Sequence, residues 1–110
     1  MNSNIPDATI EYLDNRISRY SMKMGKCEIT NRFIYAYEVH CHHFKPKSLG
    51  GTDDFKNLRI IHFDVHRLIH ATANKTIANY LNELKLDNEQ MKKVNQYRKA
   101  CNLEEISTEE

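Results

Sequence analysis

The spacing of apolar residues predicts that the chain begins with a helix. Over residues 7–24, apolar side chains recur every three or four positions, which is the spacing of one helical face. Asp7 is placed to cap this helix, and Gly25 stands where a helix commonly ends. The predicted apolar stripe comprises Ile10, Leu13, Ile17, Tyr20 and Met24.

Two segments rich in β-branched and aromatic residues predict strands. The first covers residues 33–39 and continues toward His42 and His43, until Pro46 ends it because proline lacks an N–H for the ladder. A loop over residues 47–56, which contains paired glycines, separates it from a second strand over residues 58–61. The two strands are expected to form an antiparallel hairpin with a long loop.

The pattern after residue 61 is helical. Asp64 is placed to cap a short helix over residues 65–71, and Asn74 and Asp87 are placed to cap two more. Gln90 occupies the capping-box position of the last helix. Its predicted apolar face comprises Met91, Val94, Tyr97 and Cys101. The expected fold is therefore α+β: a ββα core at about residues 33–72, an N-terminal amphipathic helix and a C-terminal helical hairpin.

Length and composition predict one domain. The chain has 110 residues, and we expect residues 1–103 to form a single domain and the glutamate-rich residues 104–110 to be disordered. No segment is long and apolar enough to span a bilayer, and the N-terminus lacks the pattern of a secretory signal. An odd number of cysteines without such a signal favours reduced thiols and a cytoplasmic location. The sequence does not indicate an oligomeric state.

Basic residues are concentrated in the first half of the chain, ahead of and inside the predicted loop. A local excess of positive charge suits a phosphate backbone. A solvated charged face is the competing explanation and is at least as common for such a pattern. The candidate DNA contacts are Arg16, Arg19, Lys23, Lys45, Lys47 and Arg67.

All six histidines lie between His40 and His70. His66 and His70 are four residues apart and share one helical face, as two metal ligands on a helix must. His42 and His43 are adjacent on a predicted strand, so their side chains point to opposite sides. One of this pair could therefore complete a set of metal ligands while the other acts as a general base in phosphodiester hydrolysis.

Asn57 lies between the two groups of histidines and could hydrogen-bond the backbone across the loop, holding the base in register. Lys45 and Lys47 follow the histidine pair and are placed to meet phosphate. We predict that His40 is a supporting or surface residue and that His62 is structural.

The ordered combination HHFKPKSLGGTDDFKNL…HRLIH resembles the HNH (ββα-metal) endonuclease motif. The resemblance implies that His43 is the general base and that His42 and His66 bind one divalent metal, with His70 as a third ligand or a phosphate contact. It makes Asn57 the asparagine of the motif, so that His43, Asn57 and His66 form the expected catalytic set. Magnesium is the expected metal in the cell, although three imidazoles also favour Mn²⁺, Ni²⁺ or Zn²⁺.

The flanking segments, IEYLDNRISRYSMKMGKCEIT and NQYRKACNLE, resemble the C-terminal endonuclease region of group II intron reverse transcriptase/maturase proteins. This resemblance implies strand nicking in the mobility of such an intron. The partners it implies are DNA and, beyond it, intron RNA or a reverse transcriptase region. No reverse transcriptase motif lies in the sequence.

The sequence departs from the many HNH domains that carry two C-x-x-C pairs around a structural zinc. Cys27 keeps the first position, Thr30 replaces the second, and His62 and Val65 stand where the other pair would be. Four thiolates would predict zinc, and one cysteine with one histidine does not. We therefore expect no structural zinc. Two other functions remain open: a non-catalytic DNA-binding module derived from an HNH domain, and a purely structural zinc domain, against which the missing cysteines argue.

Overall fold

A β-hairpin and the helix that follows it carry most of the core. The computed structural model describes residues 10–107, and this part of the chain contains four α-helices and one two-stranded sheet. The elements are α1 (Ile10–Met22), β1 (Val39–His43), β2 (Leu58–His62), α2 (Phe63–His70), α3 (Asn74–Leu84) and α4 (Asn88–Ala100). Helices α3 and α4 do not pair mainly with each other, as a simple helical hairpin would, but both pack against α2.

The hairpin is antiparallel, with Val39 opposite His62 and His43 opposite Leu58. The predicted α+β class is thereby confirmed. The predicted start of the first strand is wrong, because residues 36–38 form a 3-10 turn and the strand begins at Val39. The strand was predicted to start earlier because three aromatic residues precede Val39, and aromatic residues favour strands. These residues lie exposed on the surface: Phe33, Tyr35 and Tyr37.

The core forms where β2 and α2 pack together. Alternation along β2 buries Leu58 and Ile60, and Ile61 is buried as well, just before the chain turns into α2. Each buried side chain of this size contributes ~1.5–3 kcal/mol to the stability of the fold through the apolar surface removed from water. Fully buried side chains of the core include Ile29, Ile34, Leu58, Ile60, Ile61, Val65, Leu68, Ile69 and Val94.

Helix α1 turns only part of its predicted apolar stripe to the core. Ile10 and Ile17, on the predicted apolar stripe, are 79% and 64% exposed. The face that meets the domain is amphipathic: Tyr12 and Tyr20 pack on the core cluster, and Arg19 lies beside them. The predicted helix therefore exists, and its predicted buried stripe is right at Tyr20 but wrong at Ile10, Ile17 and Met24, which are exposed. It also ends earlier than predicted, at Met22, and Asp7, its predicted cap, lies outside the described residues.

Glu28 ties α1 to β2. Its carboxylate accepts hydrogen bonds from Nε and Nη2 of Arg19, each 2.9 Å long, and from the backbone N–H of Ile60 at 2.8 Å. The paired fork geometry and the near-complete burial of the carboxylate make this contact stronger than a surface ion pair. The basic helix is thereby held beside the loop that connects the strands.

Of the three N-terminal caps predicted for α2, α3 and α4, only that of α4 is confirmed. Asp87 caps α4 and forms the predicted capping box with Gln90. Helix α2, however, is capped by His62, whose Nδ1 accepts the N–H of Asp64 at 3.0 Å, so Asp64 itself is not the cap. Helix α3 follows Ala73, which has no side chain that could cap it, and Asn74 is already the first helical residue.

The four positions compared above with the two C-x-x-C pairs line one cavity: Cys27, Thr30, His62 and Val65. The backbone N–H groups of Thr30 and His62 both point at Sγ of Cys27, at 3.4 and 3.5 Å. Val65 is fully buried beside them. Apolar packing and N–H···S contacts thus join these segments directly.

The first residues of the glutamate-rich tail lie against α4. Ile106 is buried, and its backbone exchanges two hydrogen bonds with the side chain of Asn95, at 2.7 and 3.0 Å. Residues 108–110 lie outside the described part of the chain. No helix within residues 10–107 has both the length and the apolar character needed to cross a membrane.

Candidate active site

Three histidines from two elements converge on one face of the hairpin. His42 extends from β1, and its ring centroid lies 5.5 Å from the centroids of both His66 and His70 on α2. The rings of His66 and His70 are 4.6 Å apart, as their spacing of one helical turn requires. The structure therefore brings together the three histidines that the sequence nominated as metal ligands.

Two further rings surround this cluster. The ring of His40 stacks on that of His66 with a centroid distance of 3.5 Å, so His40 lies directly beside the site. The ring of Tyr97, from α4, stacks on His42 at 5.6 Å with an interplanar angle of 12°. The site is thus built from β1, α2 and α4, and not from the ββα core alone.

Cys101 is a member of the cluster that the sequence did not indicate. One potential ligand atom from each of His42, His70 and Cys101 lies within 4.8 Å of the others. His66 is not part of this group, although its ring is adjacent. In the sequence Cys101 stands on the apolar stripe of the last helix, where a cysteine ordinarily packs as a small apolar residue.

Nε2 of His42 is buried and has no hydrogen-bond partner among the described residues. Leaving such an atom unpaired costs free energy, so it favours a bound ligand. Burial, followed by the neighbouring His66 and His70, lowers the pKa of His42 to about 3. Burial also lowers the pKa of His66 to about 3 and lowers that of His70. The three imidazoles are therefore neutral near pH 7, which is the form that binds a cation. These residues fit a divalent metal.

The low pKa values predict that acid destabilises the metal-free protein. The pKa of His42 and of His66 is about 6.5 in the unfolded chain and about 3 in the folded chain. At pH values between these two limits, the unfolded chain therefore binds more protons at these residues than the folded chain does. The free energy of unfolding must then fall as the pH falls through this window. We expect His42 to contribute a loss approaching ~1.4 kcal/mol per pH unit below about pH 6.

Urea denaturation in a chelator at about pH 6.5 and about pH 5 measures this loss while carboxylates stay largely ionised. A His42→Gln variant, which lacks the group, should show a flatter dependence on pH. His62→Asn is the matched control, because it removes a histidine of the same hairpin and keeps an acceptor for the cap of α2. Equal stability of the unsubstituted protein at both pH values would contradict the burial of neutral histidines.

His43 points to the other side of β1, as strand alternation predicts. Its Nε2 lies 2.8 Å from Oδ1 of Asp53, and its ring stacks on Tyr12 at 5.4 Å. Asp53 is buried and also binds Nζ of Lys47 at 3.1 Å. Because an ionised carboxylate only accepts hydrogen bonds, Nε2 is the donor in this contact, and in the neutral ring the lone pair is then on Nδ1. The sequence reasoning did not nominate Asp53. Its position in the GGTDD turn was the available signal.

Asn57 closes the loop between the strands. Its Oδ1 accepts the N–H of Lys45 at 2.9 Å, and its Nδ2 donates to the carbonyl groups of Lys45 and Thr52 at 3.0 and 2.8 Å. Gly51 lies so close to the same strand end that an added Cβ would be 1.7 Å from the carbonyl oxygen of Lys45. The amide and the glycine together fix the backbone on both sides of the His43–Asp53 pair.

The six basic residues nominated for DNA binding have different surroundings. Arg19 is held by Glu28 and by the carbonyl oxygen of Phe55 at 3.1 Å, so it is a structural residue and not a free phosphate contact. Arg67 donates to the hydroxyl of Tyr80 at 3.3 Å and is exposed. Lys23 lies 3.9 Å from Glu28 and is partly exposed. The remaining residues are exposed and lie on α1 or in the loop: Arg16, Lys45 and Lys47.

Comparison with known proteins supports an HNH domain. Residues 25–72 match the family model described as HNH endonuclease. This region covers both strands and α2, and it ends before α3 and α4. Such a domain supports a nuclease or DNA-binding function, with DNA as the substrate and a divalent metal as the usual cofactor. No curated protein and no solved structure matches the chain.

Proposed function

We propose that the protein is a metal-dependent HNH endonuclease that hydrolyses DNA phosphodiester bonds with a ββα-metal core. The observation that carries this proposal is the division of two adjacent histidines. His42 is buried and lies among neutral imidazoles, and His43 pairs with a buried carboxylate on the opposite side of the strand. Hydrolysis of a phosphodiester needs these two functions, charge stabilisation and proton transfer, next to each other.

His42, His66 and His70 are the imidazoles that would hold the metal. When bound, a divalent ion would neutralise charge on the phosphate and stabilise the leaving oxygen. The chain itself supplies a neutral donor set, because burial disfavours the protonated form of these histidines. Magnesium is the ion expected in the cell, and Mn²⁺, Ni²⁺ and Zn²⁺ are its alternatives.

His43 would act as the general base. With its Nε2–H directed at Asp53, it presents Nδ1 to a water molecule and takes the proton as the water attacks phosphorus. The carboxylate of Asp53 orients the ring and stabilises the imidazolium that forms. Asn57 keeps the strand end at this position through its three hydrogen bonds to the loop.

Lys45, Lys47 and Arg16 would contact the DNA backbone. All three are exposed, and the lysines lie directly after His43 at the end of β1. Lys47 has a further role, because its ammonium binds the second oxygen of Asp53. Lys23 and Arg67 could add weaker contacts from α1 and α2.

A nicking assay on supercoiled plasmid tests the proposal. We expect the protein to convert supercoiled plasmid to the open circular form with Mg²⁺, Mn²⁺, Ni²⁺ or Zn²⁺, and to be inactive in a chelator. His42→Ala should lose both metal binding and nicking, because it removes the ligand on β1. His62→Asn, outside the cluster, should keep both.

Plasmid binding without cleavage under any of these ions would instead favour the second candidate, a DNA-binding module derived from an HNH domain. The absence of the zinc-binding cysteine pairs favours that alternative, because it marks a departure from the commoner form of the domain.

We also propose a narrower role, strand nicking in the mobility of a group II intron, with intron RNA or a reverse transcriptase region as further partners. It is supported by the resemblance of the segments before and after the motif. Preferential nicking of a duplex that carries an intron insertion site, relative to a scrambled duplex, would support this role. Equal nicking of both would count against it.

A further inference from the structure

Cys101 is placed to act on the histidine cluster. It is the residue that ends α4, and its backbone N–H bonds the carbonyl groups of the preceding turn. Its Sγ and one ring nitrogen from each of His42 and His70 lie within 4.8 Å of one another. The thiol is reduced and only half-buried, so it can exchange its proton with solvent.

A second observation also indicates a ligand. His42 is only 3% exposed, and its Nε2 has no hydrogen-bond partner within the described chain. Tyr97 covers one face of the ring, and His66 and His70 approach its edge. A buried ring nitrogen with neighbouring nitrogen and sulfur donors is the arrangement in which a cation satisfies several groups together.

We propose that Cys101 is a thiolate ligand of the metal, together with His42 and His70. This inference rests on the proposed metal site and changes its chemistry. A thiolate is a poor ligand for Mg²⁺ and a good one for Zn²⁺ or Co²⁺, so the donor set selects a transition metal. In this set Cys101 takes the place of His66, whose ring is adjacent but which is not in the group. Three protein ligands would leave the fourth position of a tetrahedral ion open, as a catalytic zinc site requires. Binding releases the thiol proton to solvent.

Titration of the whole chain with Co²⁺ tests the inference, because cobalt reports its ligands by absorption. The unsubstituted protein should bind one equivalent and develop an intense thiolate-to-cobalt charge-transfer band in the near ultraviolet. Cys101→Ser should lose that band and bind Co²⁺ at least ~10-fold more weakly. Removing a residue that only supports a ligand already costs about this much affinity, and removing the ligand itself should cost no less. Cys41→Ala is the matched control. Cys41 is a second reduced thiol, it lies on β1 outside the group of His42, His70 and Cys101, and its removal should leave the band intact.

A second measurement covers the case in which Cys101→Ser does not fold. In the unsubstituted protein, Zn²⁺ should protect Cys101 from alkylation by iodoacetamide, as followed by mass spectrometry. Three outcomes would overturn the inference and leave the histidine site standing. They are cobalt binding without the charge-transfer band, an unchanged band in Cys101→Ser, and no protection of Cys101 by Zn²⁺. Failure to bind Co²⁺ at all would also overturn it, whereas the nuclease proposal depends separately on plasmid nicking.

Discussion

His43→Ala is expected to lower the rate of plasmid nicking by ~10²–10⁴-fold, the range that a positioned general base contributes. The variant should bind metal with nearly unchanged affinity, because His43 lies on the opposite side of β1 from the cluster and pairs with Asp53. Single-turnover nicking and Co²⁺ titration, made on the same preparation, measure the two effects separately.

A split between the two measurements, with nicking lost and metal affinity kept, is the readout that a purely structural role of His43 would not give. His62→Asn is again the control with one histidine fewer. If His43→Ala nicks as fast as the unsubstituted protein, the assignment of the general base is wrong.

Arg98→Met is expected to lower the free energy of unfolding by ~3–5 kcal/mol. Nη1 of Arg98 donates to the carbonyl groups of Leu68, Ile69 and Ala71, at 3.0, 3.1 and 2.7 Å, and Nε donates to Glu104 at 2.7 Å. The last carbonyl groups of a helix have no partner within the helix, and here the buried guanidinium supplies it. Its removal takes a donor away from three buried carbonyl groups, of which that of Leu68 keeps the N–H of Ala71 as a partner at 3.3 Å.

Urea denaturation of the metal-free variants measures this loss. Arg98→Lys should fall between Arg98→Met and the unsubstituted protein, because an ammonium keeps the charge but cannot reach all four carbonyl groups. Lys99→Met is the matched control: Lys99 is the next residue, its side chain is 76% exposed, and the change should stay within ~0.5 kcal/mol. A loss of less than about 1 kcal/mol in Arg98→Met would contradict a bracing role for the guanidinium.

The histidine roles could be predicted because they depend on local geometry. Strand alternation separates His42 from His43, and helical spacing pairs His66 with His70, whatever the rest of the chain does. The capping box of α4 was predictable for the same reason. The start of β1 was not, since aromatic residues favour a strand by propensity. Within residues 10–107, however, the segment before Val39 pairs only through the isolated bridge between Lys26 and Phe33.

The missed residues reach the site through tertiary packing. Asp53 meets His43 only because the loop folds back at Gly51, and Cys101 and Arg98 meet α2 only because α4 crosses its end. No periodicity in the sequence encodes these approaches. The buried side of α1 was predicted only in part for a similar reason, because Arg19, which pairs with Glu28, meets the domain beside Tyr20.

Helix α4 lies beyond residue 72, where the family match ends. It nevertheless supplies the ring that stacks on His42, the guanidinium that holds the end of α2 and the thiol beside His70. The segment needed to build the site is therefore longer than the matched region. A recombination event that carried only residues 25–72 into another protein would transfer the histidines without their support. Substitutions in α4 should thus evolve in step with the histidines, although the two are far apart along the chain.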